Sequence, residues 1–166
     1  MNLIRHCLDE CWEVLAQVSD PEIPVLSVLD LGMIRGVELN RQDEIVVRLT
    51  PTYSGCPATD LLKDEITTAF AAKGLTPVQV VVDLSEAWTT DWMSESGKQK
   101  LEQYGIAPPQ GQSHQCGTHV ALSDGIRCPH CQSQQTKLLS EFSSTACKAL
   151  YKCQDCLEPF DYFKCI

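Results

Sequence analysis

An α+β domain, with helices laid over a small sheet, followed by a compact module held by one metal ion, is the architecture this sequence predicts. Three observations predict it. Apolar side chains recur at helical spacing over 3–18 and again from Cys56 to about Lys73. Short alternating or apolar runs at 33–39, 44–49 and 78–84 have strand character. Two C-x-x-C pairs, Cys128/Cys131 and Cys153/Cys156, lie near the C-terminus. The order helix, hairpin, helix, strand suits a sheet with its helices on one face.

Each element has a local cause. In 3–18, Ile4, Cys7, Leu8, Cys11, Trp12, Leu15 and Val18 fall on one side of a helix. Ser19-Asp20-Pro21 ends it, because proline disfavours helical geometry in the residue before it. Asp20-Pro21-Glu22-Ile23-Pro24 then reads as a stiff acidic turn. Polar residues 40–43 separate two alternating runs and predict a hairpin. Residues 50–55 form a loop rich in hydroxyls and glycine. Cys56 is the expected N-cap of the second helix, with Pro57 in its first position and Gly74 as its stop. The run 78–84 is apolar enough to be expected at the centre of the sheet.

From 85 onward the periodicity weakens, with a short helix expected over 94–104. Residues 108–113 have linker composition. They place an α/β domain at 1–106, a linker at 107–127 and a ribbon at 128–166. Within the ribbon, strands are expected at 136–141, 149–151 and 160–164.

Composition narrows the function. Of 166 residues, 43% are hydrophobic and 21% charged, as in a globular domain. No apolar run approaches the roughly 20 residues of a membrane helix. The N-terminal segment reaches Asp9, Glu10 and Glu13 without an apolar core, so export is not expected and the cytoplasm is the expected compartment. Ten cysteines in such a chain point to metal binding or thiol chemistry rather than to disulfides. The net charge is −9: residues 1–127 hold 9 basic and 18 acidic side chains, and 128–166 hold 4 of each. Neither part has the basic surface that phosphate neutralisation requires, which argues against nucleic acid.

The two C-x-x-C turns each aim two sulfurs at one point and together complete a tetrahedron, as in structural zinc sites. The 21 residues between Cys131 and Cys153 slightly exceed the usual spacing but suit a longer hairpin. Four thiolates leave no open position for chemistry, and a module this small draws much of its folding energy from the metal. Thiolates alone do not distinguish zinc from iron.

Cys56 is the candidate reactive residue. At a helix start, the dipole and unpaired N–H groups favour a thiolate. Thr50, Thr52 and Ser54 are at hand to donate hydroxyls, and Asp20 and Glu22 belong to a loop that could face the same pocket. The plainer alternative is a small apolar side chain capping a helix. Cys7 and Cys11 read as buried positions of one helical face. Cys147, six residues before Cys153, reads first as a buried strand-end thiol, with an alternative metal ligand or a redox partner as the other readings, and Cys165 is similar. His114, Cys116 and His119 form a loose H-x-C-x-x-H in the linker, where a second metal site is the lesser alternative to plain linker. Trp88 and Trp92 either anchor a partner or pack against the first domain.

Asp20-Pro21-Glu22-Ile23-Pro24-Val25, Asp30-Leu31-Gly32-Met33-Ile34 and Thr50-Pro51-Thr52-Tyr53-Ser54-Gly55-Cys56-Pro57 resemble the small α/β domain of SufT-type and cytosolic iron–sulfur assembly factors. Ala87-Trp88-Thr89-Thr90-Asp91-Trp92-Met93, Ser144-Thr145-Ala146-Cys147-Lys148-Ala149-Leu150-Tyr151 and Glu158-Pro159-Phe160-Asp161-Tyr162-Phe163-Lys164-Cys165 are similar to the PaaD family, accessory proteins encoded with the phenylacetyl-CoA epoxidase of aerobic phenylacetate degradation. The resemblance spans nearly the whole chain. It implies a non-catalytic factor that helps mature the metal cofactor of the epoxidase system, above all the reductase cluster. It implies a reactive cysteine at Cys56 with the acidic loop of Asp20 and Glu22, and zinc on the four tail cysteines. A transient iron–sulfur cluster at Cys56, or a reactive thiol alone, are both compatible with it. The implied partners are the reductase or oxygenase subunits and the iron–sulfur assembly machinery, with a homodimer as a further expectation. A structural subunit of the oxygenase complex is the competing role, and a thiol enzyme a weaker one.

Overall fold

The computed structural model describes residues 2–110 and 125–165, with side chains from Leu8 onward. It divides into two compact units, 1–88 and 89–166. Among the described residues no helix is long and apolar enough to cross a membrane.

In the first unit, α1 (Asn2–Leu15) packs on α2 (Ala58–Ala72) and on β1 (Ile34–Leu39). Cys11, Val14 and Leu15 are buried along α1, as the helical spacing requires. β1 pairs antiparallel with β2 (Ile45–Leu49). The turn between them is held by Asn40, whose Oδ1 accepts the N–H groups of Gln42 and Glu44, each at 2.9 Å. β3 (Val78–Val82) runs parallel to β2, and α2 is the crossover. Every fourth residue of α2 from Ala58 to Phe70 is buried, facing a sheet whose Val47 and Leu49 are fully buried. Trp88 is buried in this unit, and its Nε1 donates to the Leu31 carbonyl at 2.9 Å, so it is a packing residue.

The sheet order is β1-β2-β3. The run read as the central strand is therefore an edge, and β2 is central. Val78, Val80 and Val82 are apolar because they stand opposite Ile45, Val47 and Leu49 on the core face, not because both sides of β3 are covered.

In the second unit, a 3-10 turn (Thr90–Trp92) leads to α3 (Glu95–Gln103), whose cap Ser94 accepts the Gly97 N–H at 2.9 Å. β4 (Ile106–Ala107), β5 (Thr136–Ser140), β6 (Lys148–Cys153) and β7 (Pro159–Phe163) form one sheet in the order β4-β7-β6-β5. Tyr151 stacks on Phe160 with centroids 5.9 Å apart and meets Tyr162 edge-on at 5.6 Å. The buried Lys148 pairs with Asp161 at 3.1 Å, and Ser143 donates to the same carboxylate. Gly105 has φ +89°, and a Cβ there would meet the His130 ring at 3.3 Å, so this turn admits only glycine without strain.

Candidate functional site

Two sites emerge, one in each unit. The first is the loop that leaves β2. β2 and β3 are parallel, so their C-terminal ends lie at the same edge of the sheet, where the chain turns into α2. Thr50 fixes the start of this loop: its N–H donates to Met33 O and its Oγ1 to Asp83 O, both at 2.8 Å. Thr52 is buried and Ser54 exposed. A tight turn, with the Cys56 N–H on Tyr53 O at 3.1 Å, then delivers Cys56 half-buried.

The acidic segment is tied down separately. Asp20 is buried, and its Oδ1 accepts the N–H groups of Glu22 and Ile23, each at 2.8 Å. Its own N–H donates to Leu26 O at 2.8 Å. Asp30 Oδ2 accepts both the N–H and the hydroxyl of Ser27. Asp20 therefore shapes the loop. Asp20 and Glu22 both stand close enough to Cys56 to act on its charge.

Two details differ from expectation. The N-cap of α2 is Pro57, so Cys56 sits one residue outside the cap. The Cys56 thiol is also pushed up, not down. Burial is the main cause; the Ala58 N–H works against it, Glu22 and Asp20 add to it, and the Tyr53 side chain opposes it. Tyr53 was missed by sequence reasoning, which had looked to Thr50, Thr52 and Ser54. An aromatic hydroxyl three residues before the cysteine, within a tight turn, was the available signal. A bound cation would reverse this balance, since the same carboxylates would hold the cation beside a thiolate.

The second site is the tail cluster. Cys128, Cys131, Cys153 and Cys156 bring their sulfurs within 4.8 Å of one another. Cys128 and Cys156 are 3.8 Å apart, and Cys131 and Cys153 3.5 Å. A tetrahedron with metal–sulfur bonds of about 2.3 Å has edges of about 3.8 Å, so these four residues fit one metal ion such as zinc. The two turns repeat one geometry: Cys128 N–H donates to Ser133 O at 2.9 Å and Cys153 N–H to Glu158 O at 3.0 Å. Gln132 and Leu157, which follow the second cysteine of each turn, both have φ +65°. The N–H groups of Cys156 and Asp155 hold the Cys153 thiol down to about 7, against the opposing effect of burial. Cys128 and Cys153 are fully buried, and Cys131 is exposed.

The remaining cysteines divide. Cys11 is buried on α1. Cys147 is buried, with Thr145 Oγ1 at 3.1 Å from its sulfur. Cys165 is disulfide-bonded, where the sequence led us to expect a strand-end thiol. The side chain of Cys7, and His114, Cys116 and His119, lie outside the described residues.

Comparison with known proteins matches both units. Residues 8–82 fit the iron–sulfur cluster assembly protein model, and 112–164 the PaaD zinc beta ribbon domain. An Escherichia coli protein named as one of the subunits of 1,2-phenylacetyl-CoA epoxidase is 55% identical over 95% of this chain and 92% of its own. A Porphyromonas gingivalis Fe-S protein maturation auxiliary factor is 34% identical over 56% of this chain and 89% of its own. A solved DUF59 domain from Bacillus anthracis covers 60% of this chain and 95% of its own, with a TM-score of 0.56 at 20% identity, a likeness of fold. With both parts matched in order, and a relative identical at more than half of the aligned positions along almost all of both chains, this chain belongs to the PaaD family.

Proposed function

We propose that this protein is an accessory factor of phenylacetate degradation that assists iron–sulfur maturation of the phenylacetyl-CoA epoxidase system, with the reductase as its client. The observation that carries this reading is the Cys56 loop: one thiol beside Asp20 and Glu22, in a domain of the iron–sulfur assembly type. The iron or cluster is cargo here. Cys56 is the transfer thiol; Glu22 and Asp20 supply negative charge toward an arriving cation, and Tyr53 a hydrogen bond to the sulfur. Asp20 acts through the turn it holds, and Thr52 through the packing of the loop. A cluster needs several thiolates. Cys11, the other cysteine of the unit whose side chain is described, is buried, and in this reading a client or donor supplies the further ligands.

In the ribbon, Cys128, Cys131, Cys153 and Cys156 hold a zinc ion that closes the fold without an open position for substrate. The protein works in the cytoplasm with the epoxidase reductase and the assembly machinery, and turns over no substrate. A stoichiometric structural role in the oxygenase complex is the second reading, favoured by the name of the Escherichia coli relative.

The test is metal analysis of anaerobically isolated wild type and Cys56→Ser, with epoxidase activity of the cells that made them. One zinc in both, iron only in wild type and loss of active epoxidase in the variant is the expected result. Normal epoxidase maturation with Cys56→Ser overturns the transfer role. Fixed-stoichiometry co-purification with the oxygenase transfers support to the structural reading.

A further inference from the structure

The two edges of the first unit's sheet are finished differently. β1 carries Arg35, paired to Glu86 at 3.5 Å, and Glu38, paired to Arg48 at 2.7 Å. Its register also breaks between Ile34 and Gly36. Charge and irregularity of this kind keep an edge strand from pairing with another chain. β3 has neither. Val78, Gln79, Val80, Val81 and Val82 carry no charge, and the register against β2 is unbroken at all five positions. The four valines are half-buried and Gln79 is exposed. Among the described residues nothing pairs with the outer side of this strand.

We infer that β3 is a self-association edge, and that its occupant is β3 of a second copy, antiparallel and centred on Val80. Charge selects the occupant. Residues 1–88 hold 6 basic and 14 acidic side chains, so two copies repel over most of their surfaces. No charged residue lies between Lys73 and Asp83, so two copies meeting along this stretch bring no like charges together. A two-fold axis at Val80 sets Val78 opposite Val82 of the second copy and Gln79 opposite its Val81. Asp83 then falls opposite Pro77 of the second copy rather than a carboxylate. The strand is thus self-complementary, as an isologous interface requires. Pairing would extend the three-stranded sheet across the axis and satisfy the outward N–H and C=O groups of both edges.

The test uses the full, metal-loaded chain in sedimentation velocity across a concentration series. Wild type is expected to exchange between monomer and dimer. Gln79 and Val81 lie on the face away from Ile45, Val47 and Leu49, so substitutions there spare the core. Gln79→Lys/Val81→Lys sets like charges directly opposite one another twice, and is expected to weaken the dimer at least about tenfold, or about 1.4 kcal/mol. Gln79→Lys/Val81→Glu sets opposite charges in both places and is expected to recover it. Hydrogen exchange on wild type gives a readout free of mutation: β3 amide protection should rise with protein concentration. A wild type monomeric at every concentration overturns the inference, including one whose β3 pairs only with a different protein. So does a dimer indifferent to the paired-lysine variant, a Lys/Glu variant as weak as the Lys/Lys one, or β3 protection that does not depend on concentration.

Discussion

Replacing Asp20 separates the shaping of the acidic loop from its chemistry. Its carboxylate is buried and accepts two backbone N–H groups at 2.8 Å. In Asp20→Ala both donors lose their acceptor inside the turn. Each such loss costs about 1–3 kcal/mol, so the pair costs about 2–6 kcal/mol. A domain stability of about 5–15 kcal/mol makes that a large fraction. Asp20→Asn keeps an acceptor oxygen and gives up only the charge, so it should cost about 1 kcal/mol. Urea unfolding of the zinc-loaded chain measures both. Hydrogen exchange at the Glu22 and Ile23 amides localises the effect: protection should survive in the Asn variant and collapse in the Ala variant. An Ala variant as stable as wild type, with both amides still protected, refutes the claim that this carboxylate holds the turn.

Two further outcomes follow from the same geometry. Burial, Glu22 and Asp20 raise the Cys56 thiol, so site-resolved alkylation should reach half its maximal rate at a higher pH than a free thiol does, and Glu22→Gln should move that midpoint down; a midpoint below that of the free thiol contradicts this. Asp161→Ala leaves the buried Lys148 charge uncompensated and should destabilise the ribbon by about 3–5 kcal/mol in metal-saturated protein, whereas Lys148→Met/Asp161→Leu should come close to wild type, both read by thermal unfolding.

The parts of this chain that were legible from sequence are those set by local chemistry. The helical spacing of Cys11 and Leu15, the Asn40 turn and the strands around the tail cysteines each need only near neighbours. The cysteine cluster was legible because four thiolates at that spacing have few other uses. What was not legible depends on distant contacts. The edge position of β3 is a matter of strand order, which an apolar run does not encode. The direction of the Cys56 shift depends on burial and on carboxylates more than 30 residues away in sequence. Trp88 could be read as an anchor or as core until its indole was seen donating to Leu31 O.

The register of β6 against β5 bears on how the ribbon is checked as it folds. Cys153 sits opposite Thr136 on the buried face of the sheet. Slipping this pairing by one residue would turn Cys153 to the open face and present Lys152 in its place. The tetrahedral site would then lack a sulfur, and a three-thiolate metal would bind far more weakly. Metal capture thus proofreads the strand alignment: a misaligned hairpin cannot close around the ion, and only the native alignment is locked in place.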